Sequence, residues 1–522
     1  MSTFVRTWAD KIKGVITGFD RIVFKGCIRP LMYEDGARSF FYSRGVLNKN
    51  YKSWVTERST ALVESADAYA RSVCDRGITP IPSCNERKDK RVEKQRRELN
   101  IKKGLIGVWS CVESGMTYQA RYDAQAGFPQ LRRHYGRCQH LYFYYDHADY
   151  GLMSVRLQTW FPYSIQLALN GREWLRRSLE REEIPFQLHE NKFLHIADME
   201  RAQRLLDRQT DVRWVWRLEP FVSRVFPTME QTLGPGLSSY YWTLWQSEWA
   251  TDYLFRSADH LKPIMDTLLR HSLMTGTSDR ILRYMGRPVS ADGQPHPRAK
   301  PDVATRVNRW DDGVRIRHWV DHNSVKLYNE HNVLRAETTI NNPAMFRVYR
   351  HAEGQKRSAV KKRMSLRKGI ADIPLRTQVS ADVNHRFMEH MATLQNQTPL
   401  RDVLKDVTVP FVHAGRPVRA LDITGKDREL LLALGDPQYV VCGITNKRLQ
   451  QRLHASPWAK YRNDKQLSAR ISRHLRLLRH HGLIRKMARQ QKYFLTEKGR
   501  ILTTSLAAML AASTQQLMEK AA

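Results

Sequence analysis

The sequence predicts an α+β protein: a mixed N-terminal and central β-sheet region with a helical insertion, followed by a C-terminal winged helix-turn-helix. Three observations predict this fold class. Strand-like runs alternate with helical segments in the N-terminal part, three more such runs follow residue 303, and three helical patterns precede a hairpin pattern near the C-terminus. Of the 522 residues, 42% are hydrophobic, which is enough for packed cores.

The order of these patterns divides the chain into five segments. They are an α+β domain over residues 1–210, a helical subdomain over 211–285, a Pro- and Gly-containing linker over 286–302, a β-meander with a basic segment over 303–425, and the winged helix-turn-helix over 426–522.

In the first segment, Asp20–Ile28 is predicted to be a strand and Lys52–Arg76 a helix. Four strand-like runs follow, at Leu105–Cys111, Thr117–Tyr122, His140–Tyr145 and Leu152–Trp160. The last two flank a polar turn, Asp146–Gly151, which predicts an antiparallel hairpin.

Helical patterns dominate the next stretch of chain. We expect a long helix over Tyr163–Glu183, a short strand at Phe193–Ile196, and a helix capped by Asp198. Trp214–Met285 is rich in helix formers and aromatic residues, which predicts the helical subdomain.

Beyond the linker, three short β-runs separated by polar turns predict a meander: Val314–Val320, Ser324–Tyr328 and Val333–Ile340. A basic segment, Arg347–Lys368, then carries nine basic residues against one acid, including Lys361, Lys362 and Arg363.

Near the C-terminus the patterns predict helices over Asp427–Leu434, Thr445–Leu453 and Gln466–His481, then strands at Ile484–Met487 and Lys492–Leu495 and a last helix from Thr496. At 100° per residue, Leu467, Ile471, Leu475 and Leu478 of the third helix share one face, which we expect to be buried. Arginines lie on the flanks and on the opposite face.

The net charge of +34 indicates a polyanionic partner, and nucleic acid is the most common one in a cell. Residues 447–500 alone carry a balance of +14. A membrane partner is disfavoured because the basic residues are spread over several regions, and neither a transmembrane run nor a signal sequence is found. The six scattered cysteines argue against a disulfide framework or zinc site. We therefore expect a cytoplasmic, nucleoid-associated protein of undetermined oligomeric state.

The stretch LSARISRHLRLLRHHGLIRK…YFLTEKGR resembles the winged-helix domains of MarR-like regulators. This resemblance implies that the third helix enters the major groove of DNA, with the hairpin as the wing. The expected nucleic-acid-binding residues in this domain are Arg470, Arg473, Arg476, Arg479, Lys486, Arg489 and Lys492. The charge of the basic segment Arg347–Lys368 predicts a second contact surface, with Lys361, Lys362 and Arg363.

Two further segments, GRCQHLYFYYDHADYGLMSVRLQTWFPYSIQLALNGREWL and VKLYNEHNVLRAETTINNP, resemble a group of uncharacterised bacterial proteins with the same C-terminal domain. Within the second, Lys326-x-Tyr328 followed by Leu334-Arg335-x-Glu337 is similar to the KxY…LRxE strands of plasmid and phage rolling-circle replication proteins. That similarity implies metal-dependent DNA nicking by a tyrosine nucleophile.

The implied catalytic residues are Asp20, Tyr328 and Glu337, with Mg²⁺ as the possible cofactor. The sequence departs from that family because it has no His-x-His metal-binding pair. Glu248 and Asp252, one helical turn apart in YWTLWQSEWATDYLF, could also hold Mg²⁺, although a solvated acidic helix face is the more common origin of such a pair.

The favoured function is a mobile-element or plasmid DNA-processing protein, similar to a replication initiator, that selects its site through the winged helix. Two alternatives stay open on the sequence alone. One is a non-enzymatic winged-helix transcription regulator, and the other is an RNA-binding protein, because basic residues interleaved with aromatic ones also suit RNA.

Overall fold

The computed structural model has a mixed α+β architecture. It describes residues 2–81, 88–275, 278–286, 303–310, 313–352, 354–355, 360–392, 400–436, 439, 443–460, 463–486 and 491–513. The predicted linker from residue 287 onward and Arg489 lie outside these residues.

The helices are α1 (Thr3–Thr7), α2 (Glu34–Tyr42), α3 (Tyr51–Cys74), α4 (Lys88–Glu98), α5 (Gly171–Arg181), α6 (Met199–Asp207), α7 (Trp214–Val225), α8 (Met229–Leu233), α9 (Ala258–Thr275), α10 (Ser278–Tyr284), α11 (Ile373–Met391), α12 (Leu400–Lys405), α13 (Arg428–Leu434), α14 (Asn446–Leu453), α15 (Asp464–His480) and α16 (Glu497–Ala511).

The strands are β1 (Ile12–Cys27), β2 (Thr79–Pro80), β3 (Gly104–Asp123), β4 (Phe128–His147), β5 (Gly151–Gln158), β6 (Ile165–Asn170), β7 (Phe186–His189), β8 (Lys192–Ile196), β9 (Tyr241–Phe255), β10 (Val303–Trp310), β11 (Gly313–Val320), β12 (Asn323–Glu330), β13 (Val333–Ile340), β14 (Arg347–Arg350), β15 (Lys362–Ser365), β16 (Phe411–His413), β17 (Arg416–Val418), β18 (Ile484–Lys486) and β19 (Tyr493–Leu495).

The chain divides into two units. The first, which we call the sheet unit, comprises residues 10–262 and 306–384. The second, which we call the C-terminal unit, comprises residues 1–9, 263–305 and 385–522.

Eleven of the described strands form one sheet, in the order β10-β11-β12-β13-β9-β1-β6-β5-β4-β3-β2. The short β2 runs parallel to β3, whereas β9 is antiparallel to both of its neighbours, β1 and β13. Because β1, β9 and β13 come from distant parts of the sequence, the centre of the sheet brings together residues that no local pattern connects.

One face of the sheet carries the largest hydrophobic core. Phe19, Ile22 and Phe24 of β1 and Trp249 of β9 pack there with buried side chains of α2, α3 and α7. The other face is covered in at least two places. At β3 and β4, Val92 of α4 packs with Ile106, Trp109 and Tyr144. At β1, α6 lies so close to the strand that a Cβ on Gly18 would come within 2.8 Å of Leu206. The same end of β1 buries Ile16, Leu254 and Val333 together with residues of α5 and α6.

Most of the predicted elements of the sheet unit are confirmed. The observed strand β1, helix α3 and the β4–β5 hairpin match their predictions, although two of the predicted runs merge into the single long strand β3. Asp198 caps α6 by accepting a hydrogen bond from the backbone N–H of Arg201 at 2.8 Å. Strands β11, β12 and β13 form the predicted meander.

Two predictions were wrong. The predicted long helix over Tyr163–Glu183 is instead a strand, β6, followed by a shorter helix, α5. The alternation of buried and half-buried residues in Ile165–Asn170 fits a strand, and pairing with β1 and β5 stabilises that conformation. The segment Trp214–Met285 is not all helical, because Tyr241–Phe255 is the central strand β9. The tryptophans of β9 happen to have helical spacing, but the strands on both sides determine its conformation.

The C-terminal unit contains the predicted order of helices and hairpin: α13, α14, α15, the hairpin β18–β19 and α16. Thr445 caps α14, and Asn463 forms a capping box with Gln466 at the start of α15. Leu467, Ile471, Leu475 and Leu478 are buried, as predicted from their shared helix face.

Gly171 provides a test of the packing between β1 and α5. A Cβ at this position would lie 2.3 Å from the backbone oxygen of Phe19. We expect Gly171→Ala to lower the free energy of unfolding by about 1–3 kcal/mol, because backbone atoms cannot move aside easily. In the matched control Gly369→Ala, the added methyl group meets only the Tyr241 hydroxyl at 3.5 Å, so urea denaturation should show a much smaller change. Equal losses for both variants would contradict this packing.

Candidate metal centre

Three carboxylates from three central strands meet on the partly covered face of the sheet. Asp20 of β1, Glu248 of β9 and Glu337 of β13 each offer an oxygen, and the three oxygens lie within 4.8 Å of one another. The pairing between β1 and β9 shifts between Phe19 and Arg21, so Asp20 occupies a β-bulge. Bulges re-aim side chains, and this one brings Asp20 to the other two carboxylates.

These carboxylates are largely removed from solvent. Glu337 is 2% exposed and Asp20 is 8% exposed, while Glu248 is more accessible. A fourth carboxylate, that of Asp252, lies four residues beyond Glu248 on the same face of β9 and is fully buried.

Three cationic side chains are interleaved with the four carboxylates. Arg335 of β13 donates from Nη2 to Asp252 Oδ2 at 2.9 Å and from Nη1 to Asp20 Oδ1 at 3.2 Å. Arg172 of α5 also approaches Asp252, at 3.2 Å. Lys326 of β12 forms ion pairs with Glu337 and, at 3.8 Å, with Glu248. Each of the four carboxylates therefore has at least one cationic neighbour.

The pKa shifts divide the four carboxylates into two pairs. The pKa of Asp252 is lowered despite its burial because Arg172 and Arg335 flank it. The pKa of Glu337 is also lowered despite burial, since Lys326 and Arg335 stabilise its charge. By contrast, burial raises the pKa of both Asp20 and Glu248, and the charge of Glu337 adds to each shift. Asp20 and Glu248 thus favour an additional cation.

The donor set fits a hard divalent cation. Carboxylate oxygens are the ligands that Mg²⁺ and Mn²⁺ prefer in proteins, and three of them converge at one point. Asp20 and Glu248 each share their ion-pair partner with another carboxylate: Arg335 also pairs with Asp252, and Lys326 also pairs with Glu337.

A tyrosine lies directly beside this centre. The Tyr328 hydroxyl on β12 donates to Glu337 Oε2 at 2.9 Å and accepts a long hydrogen bond, 3.5 Å, from Arg335 Nη1. Burial raises the pKa of Tyr328 well above its ordinary value, and the charge of Glu337 adds to the shift. In this state the phenol is protonated, and Glu337 is its hydrogen-bond acceptor.

The hairpin β7–β8 closes one side of the cluster. Asn191, at its turn, donates from Nδ2 to Asp20 Oδ1 at 3.1 Å, and its backbone oxygen accepts from Arg335 Nη2 at 3.1 Å. Lys192 and His189 both contact Glu330 of β12. These contacts hold the hairpin against the sheet and fix the side chains of Asp20 and Arg335.

The structure brings Asp20, Tyr328 and Glu337 together, and it adds Glu248 to them. The proposed helical pair Glu248 and Asp252 lies instead on strand β9, where four residues span about 13 Å. The two carboxylates share a face in either conformation, but on a strand they are too far apart to chelate one ion. No local pattern in the sequence marks Arg172 or Asn191, which join this cluster through tertiary contacts.

The predicted nucleic-acid-binding residues differ in their surroundings. Arg473, Arg476 and Arg479 are exposed on α15, Lys486 is exposed on β18, and Lys492 is half-buried. Arg470 instead packs over the Trp458 ring at 3.9 Å and donates to the Trp458 backbone oxygen at 2.8 Å. In the sheet unit, Lys361, Lys362 and Arg363 are exposed at and next to β15.

Comparison of the whole chain with protein-family models, with curated proteins and with solved structures gave no match. The resemblances to MarR-like regulators and to rolling-circle replication proteins therefore stay predictions. In the part of the chain that the structure describes, no helix has the length and apolar composition needed to cross a membrane.

The raised pKa of Glu248 predicts an unusual effect on stability. A carboxyl group whose pKa is higher in the folded state destabilises the fold when ionised, and stability is lost as the pH rises through that pKa. We expect Glu248→Gln to raise the Tm of the metal-free protein at pH 7, with the difference shrinking toward pH 4. Glu64, which is exposed on α3, gives the control Glu64→Gln. A Tm for Glu248→Gln below that of the control at pH 7 would show that Glu248 is a stabilising ion-pair partner instead.

Proposed function

We propose that this protein cuts a DNA strand at a divalent cation held by Asp20, Glu248 and Glu337, with Tyr328 as the nucleophile. One observation carries the proposal: three carboxylates converge within 4.8 Å beside a tyrosine hydroxyl that is hydrogen-bonded to one of them. The similarity of the Lys326-x-Tyr328 and Leu334-Arg335-x-Glu337 strands to rolling-circle replication proteins supports a role in plasmid or mobile-element replication.

The reaction is a transfer of a phosphodiester to tyrosine. A bond forms between the Tyr328 oxygen and phosphorus, and the bond between phosphorus and one deoxyribose oxygen breaks. The phenolic proton passes to Glu337 Oε2, which already accepts it in a hydrogen bond. The departing deoxyribose oxygen takes up a proton, for which the Lys326 ammonium is a donor within the cluster.

The remaining residues of the cluster have positioning roles. Arg335 contacts Asp20, Asp252 and the Tyr328 hydroxyl, so it orients both a metal-binding carboxylate and the nucleophile. Asn191 restrains Asp20 from the opposite side. A cation bound by Asp20, Glu248 and Glu337 would act as a Lewis acid that polarises the phosphate.

The C-terminal unit is proposed to select the DNA site as a winged helix-turn-helix. The order of α13, α14 and α15 followed by the β18–β19 hairpin supports this assignment, as do the exposed arginines on the face of α15 opposite its buried leucines. A helix of this kind suits the major groove, where arginine can donate two hydrogen bonds to guanine.

Cleavage and metal binding can be tested separately. Incubation of the protein with supercoiled plasmid or with circular single-stranded DNA and Mg²⁺ or Mn²⁺ should give nicked or linear DNA covalently bound to protein. Tyr328→Phe should abolish the covalent product but keep the rise in Tm that Mn²⁺ causes. Glu248→Gln should lose most of that rise, which for the wild type corresponds to a stabilisation of about 2.7 kcal/mol at a Mn²⁺ concentration of 100 times the Kd.

Several outcomes would overturn this function. Absence of any Mn²⁺-dependent rise in Tm would remove the metal centre, and a covalent product formed by Tyr328→Phe would remove the nucleophile. DNA binding with neither metal binding nor cleavage would indicate the transcription regulator. Tight binding to RNA in preference to DNA would indicate the RNA-binding protein.

The arginines of α15 provide a test of DNA recognition. Arg473→Ala and Arg476→Ala should each weaken specific DNA binding by about 1–3 kcal/mol if they reach base edges, with no change in Tm. Arg470→Ala should instead lower the Tm, because this side chain packs on Trp458. Electrophoretic mobility shifts on a selected site and on random DNA would separate base contacts from phosphate contacts. A uniform loss on both DNAs for Arg473→Ala or Arg476→Ala would contradict base recognition.

A further inference from the structure

Of the helices that the structure describes, α5 and α6 pack on β1 at the end before the carboxylates, and the same face of β1 continues beyond them. The pairing of β1 with β9 places Val23, Lys25 and Cys27 on the same face as Arg21, which is opposite Glu248. Val23 is buried, but Arg21 is exposed and Lys25 and Cys27 are half-buried, whereas Ile22 and Phe24 are buried on the other face. This part of the face is therefore accessible to a ligand.

A second β-bulge places a tryptophan on this accessible face. The register between β1 and β9 shifts between Val23 and Phe24, which leaves Trp245 without a partner in β1. Trp245 is 40% exposed, although it lies near the centre of the sheet. The bulge therefore presents a flat aromatic surface on which a ligand can stack.

Two lysines lie against this ring. The Nζ atom of Lys368 is 3.9 Å from the ring centroid of Trp245, and that of Lys25 is 4.7 Å away. Lys368 is fixed there by the backbone, since its carbonyl oxygen accepts from the N–H of Leu244 at 2.8 Å. A similar pair lies alongside, where the Arg29 guanidinium is 5.5 Å from the ring centroid of the exposed Tyr241.

None of these cations has a carboxylate partner in the part of the chain that the structure describes. Among the described residues, no carboxylate forms an ion pair with Lys25, Arg29 or Lys368. Burial lowers the pKa of both Lys25 and Lys368, and for Lys368 the charges of Arg376 and Lys25 add to the shift. Uncompensated positive charge beside exposed aromatic rings is complementary to a ligand with both anionic groups and flat aromatic groups.

We propose that Trp245, Tyr241, Lys25, Arg29 and Lys368 form a subsite for an unpaired segment of the DNA strand that enters the carboxylate centre. A base that stacks on Trp245 displaces the ammonium groups of Lys25 and Lys368 from the ring, and these cations then contact the phosphates on either side of the base. Unpaired DNA is required because the base faces of a duplex are already stacked on one another. Trp245 lies three residues from Glu248, about 10 Å along β9, so one short stretch of strand can contact both.

The subsite rests on the proposed function, because that function identifies the bound strand as the one that is cleaved. In addition, the subsite requires the cleaved region to be single-stranded when it binds. The binding test below is carried out in EDTA, so that it does not depend on metal binding or cleavage.

The aromatic contribution is tested with fluorescein-labelled dT20 by fluorescence anisotropy. Trp245→Ala should weaken binding by at least about fivefold, and Trp245→Phe should lie between it and the wild type, because stacking on one base contributes substantially to affinity. Trp216 on α7 is 77% exposed, so Trp216→Ala serves as the matched control and should bind like the wild type. A blunt 20-base-pair duplex should show no difference between Trp245→Ala and wild type.

The electrostatic contribution is tested by the double variant Lys25→Gln/Lys368→Gln. Loss of two phosphate contacts on single-stranded DNA should reduce the slope of log K against log salt concentration by about 1.4. The control is Lys52→Gln/Lys102→Gln, which removes two exposed lysines elsewhere in the sheet unit and should leave the slope unchanged.

The outcomes separate this proposal from the proposed function. Unchanged dT20 binding by Trp245→Phe and by the double lysine variant would overturn the subsite even if Trp245→Ala fails to fold. Tighter binding of rU20 than of dT20 would overturn its assignment to DNA. If Trp245→Ala loses dT20 binding while its Mn²⁺-dependent rise in Tm persists, the subsite is supported. If Trp245→Ala loses dT20 binding but Mn²⁺ does not raise the Tm of the wild type, the subsite is supported and only the metal centre is refuted.

Discussion

The buried pairing of Arg335 with Asp252 is the interaction around which the sheet unit is organised. Both side chains are completely buried, and the guanidinium also reaches Asp20 and the backbone of Asn191. Two charges in a protein interior are tolerated only when each is well compensated. Arg335 therefore determines where β1, β13 and the β7–β8 hairpin lie, and a carboxylate centre can form beside it because its positive charge partly offsets that of Asp20.

The carboxylate cluster of Asp20, Glu248 and Glu337 lies next to the part of the sheet face that α5 and α6 cover. Helices α5 and α6 pack on the first half of β1, and the carboxylates begin where this cover ends. Beyond them the same strands present lysines and aromatic side chains to solvent. Desolvation shifts the pKa values of Asp20, Glu248 and Tyr328 upward, and the adjacent accessible face provides a route for a ligand. This combination of burial and access is what a reactive centre requires.

Local patterns in the sequence predicted many of the elements but not their assembly. The meander, the capped helices and the buried stripe of α15 follow from periodicity and end signals, which are properties of neighbouring residues. Strand β9 was missed because Trp242, Trp245 and Trp249 have helical spacing, while its conformation depends on pairing with β1 and β13, about 220 and 80 residues away in the chain. Asp20, Tyr328 and Glu337 were found through their resemblance to known strands, whereas Arg172 and Asn191 join the site only through tertiary contacts.

Two of the three register shifts in the β1–β9 pair, at Phe19/Arg21 and at Val23/Phe24, make this part of the chain intolerant of changes in length. Successive residues of a strand point to opposite faces, and each bulge corrects the register by one residue. Deletion of a single residue between Phe19 and Phe24 would transfer polar side chains into the hydrophobic core and core side chains to the accessible face. Substitutions can accumulate in this stretch, but insertions and deletions are expected to be excluded from it, in contrast to the loops at the edges of the sheet.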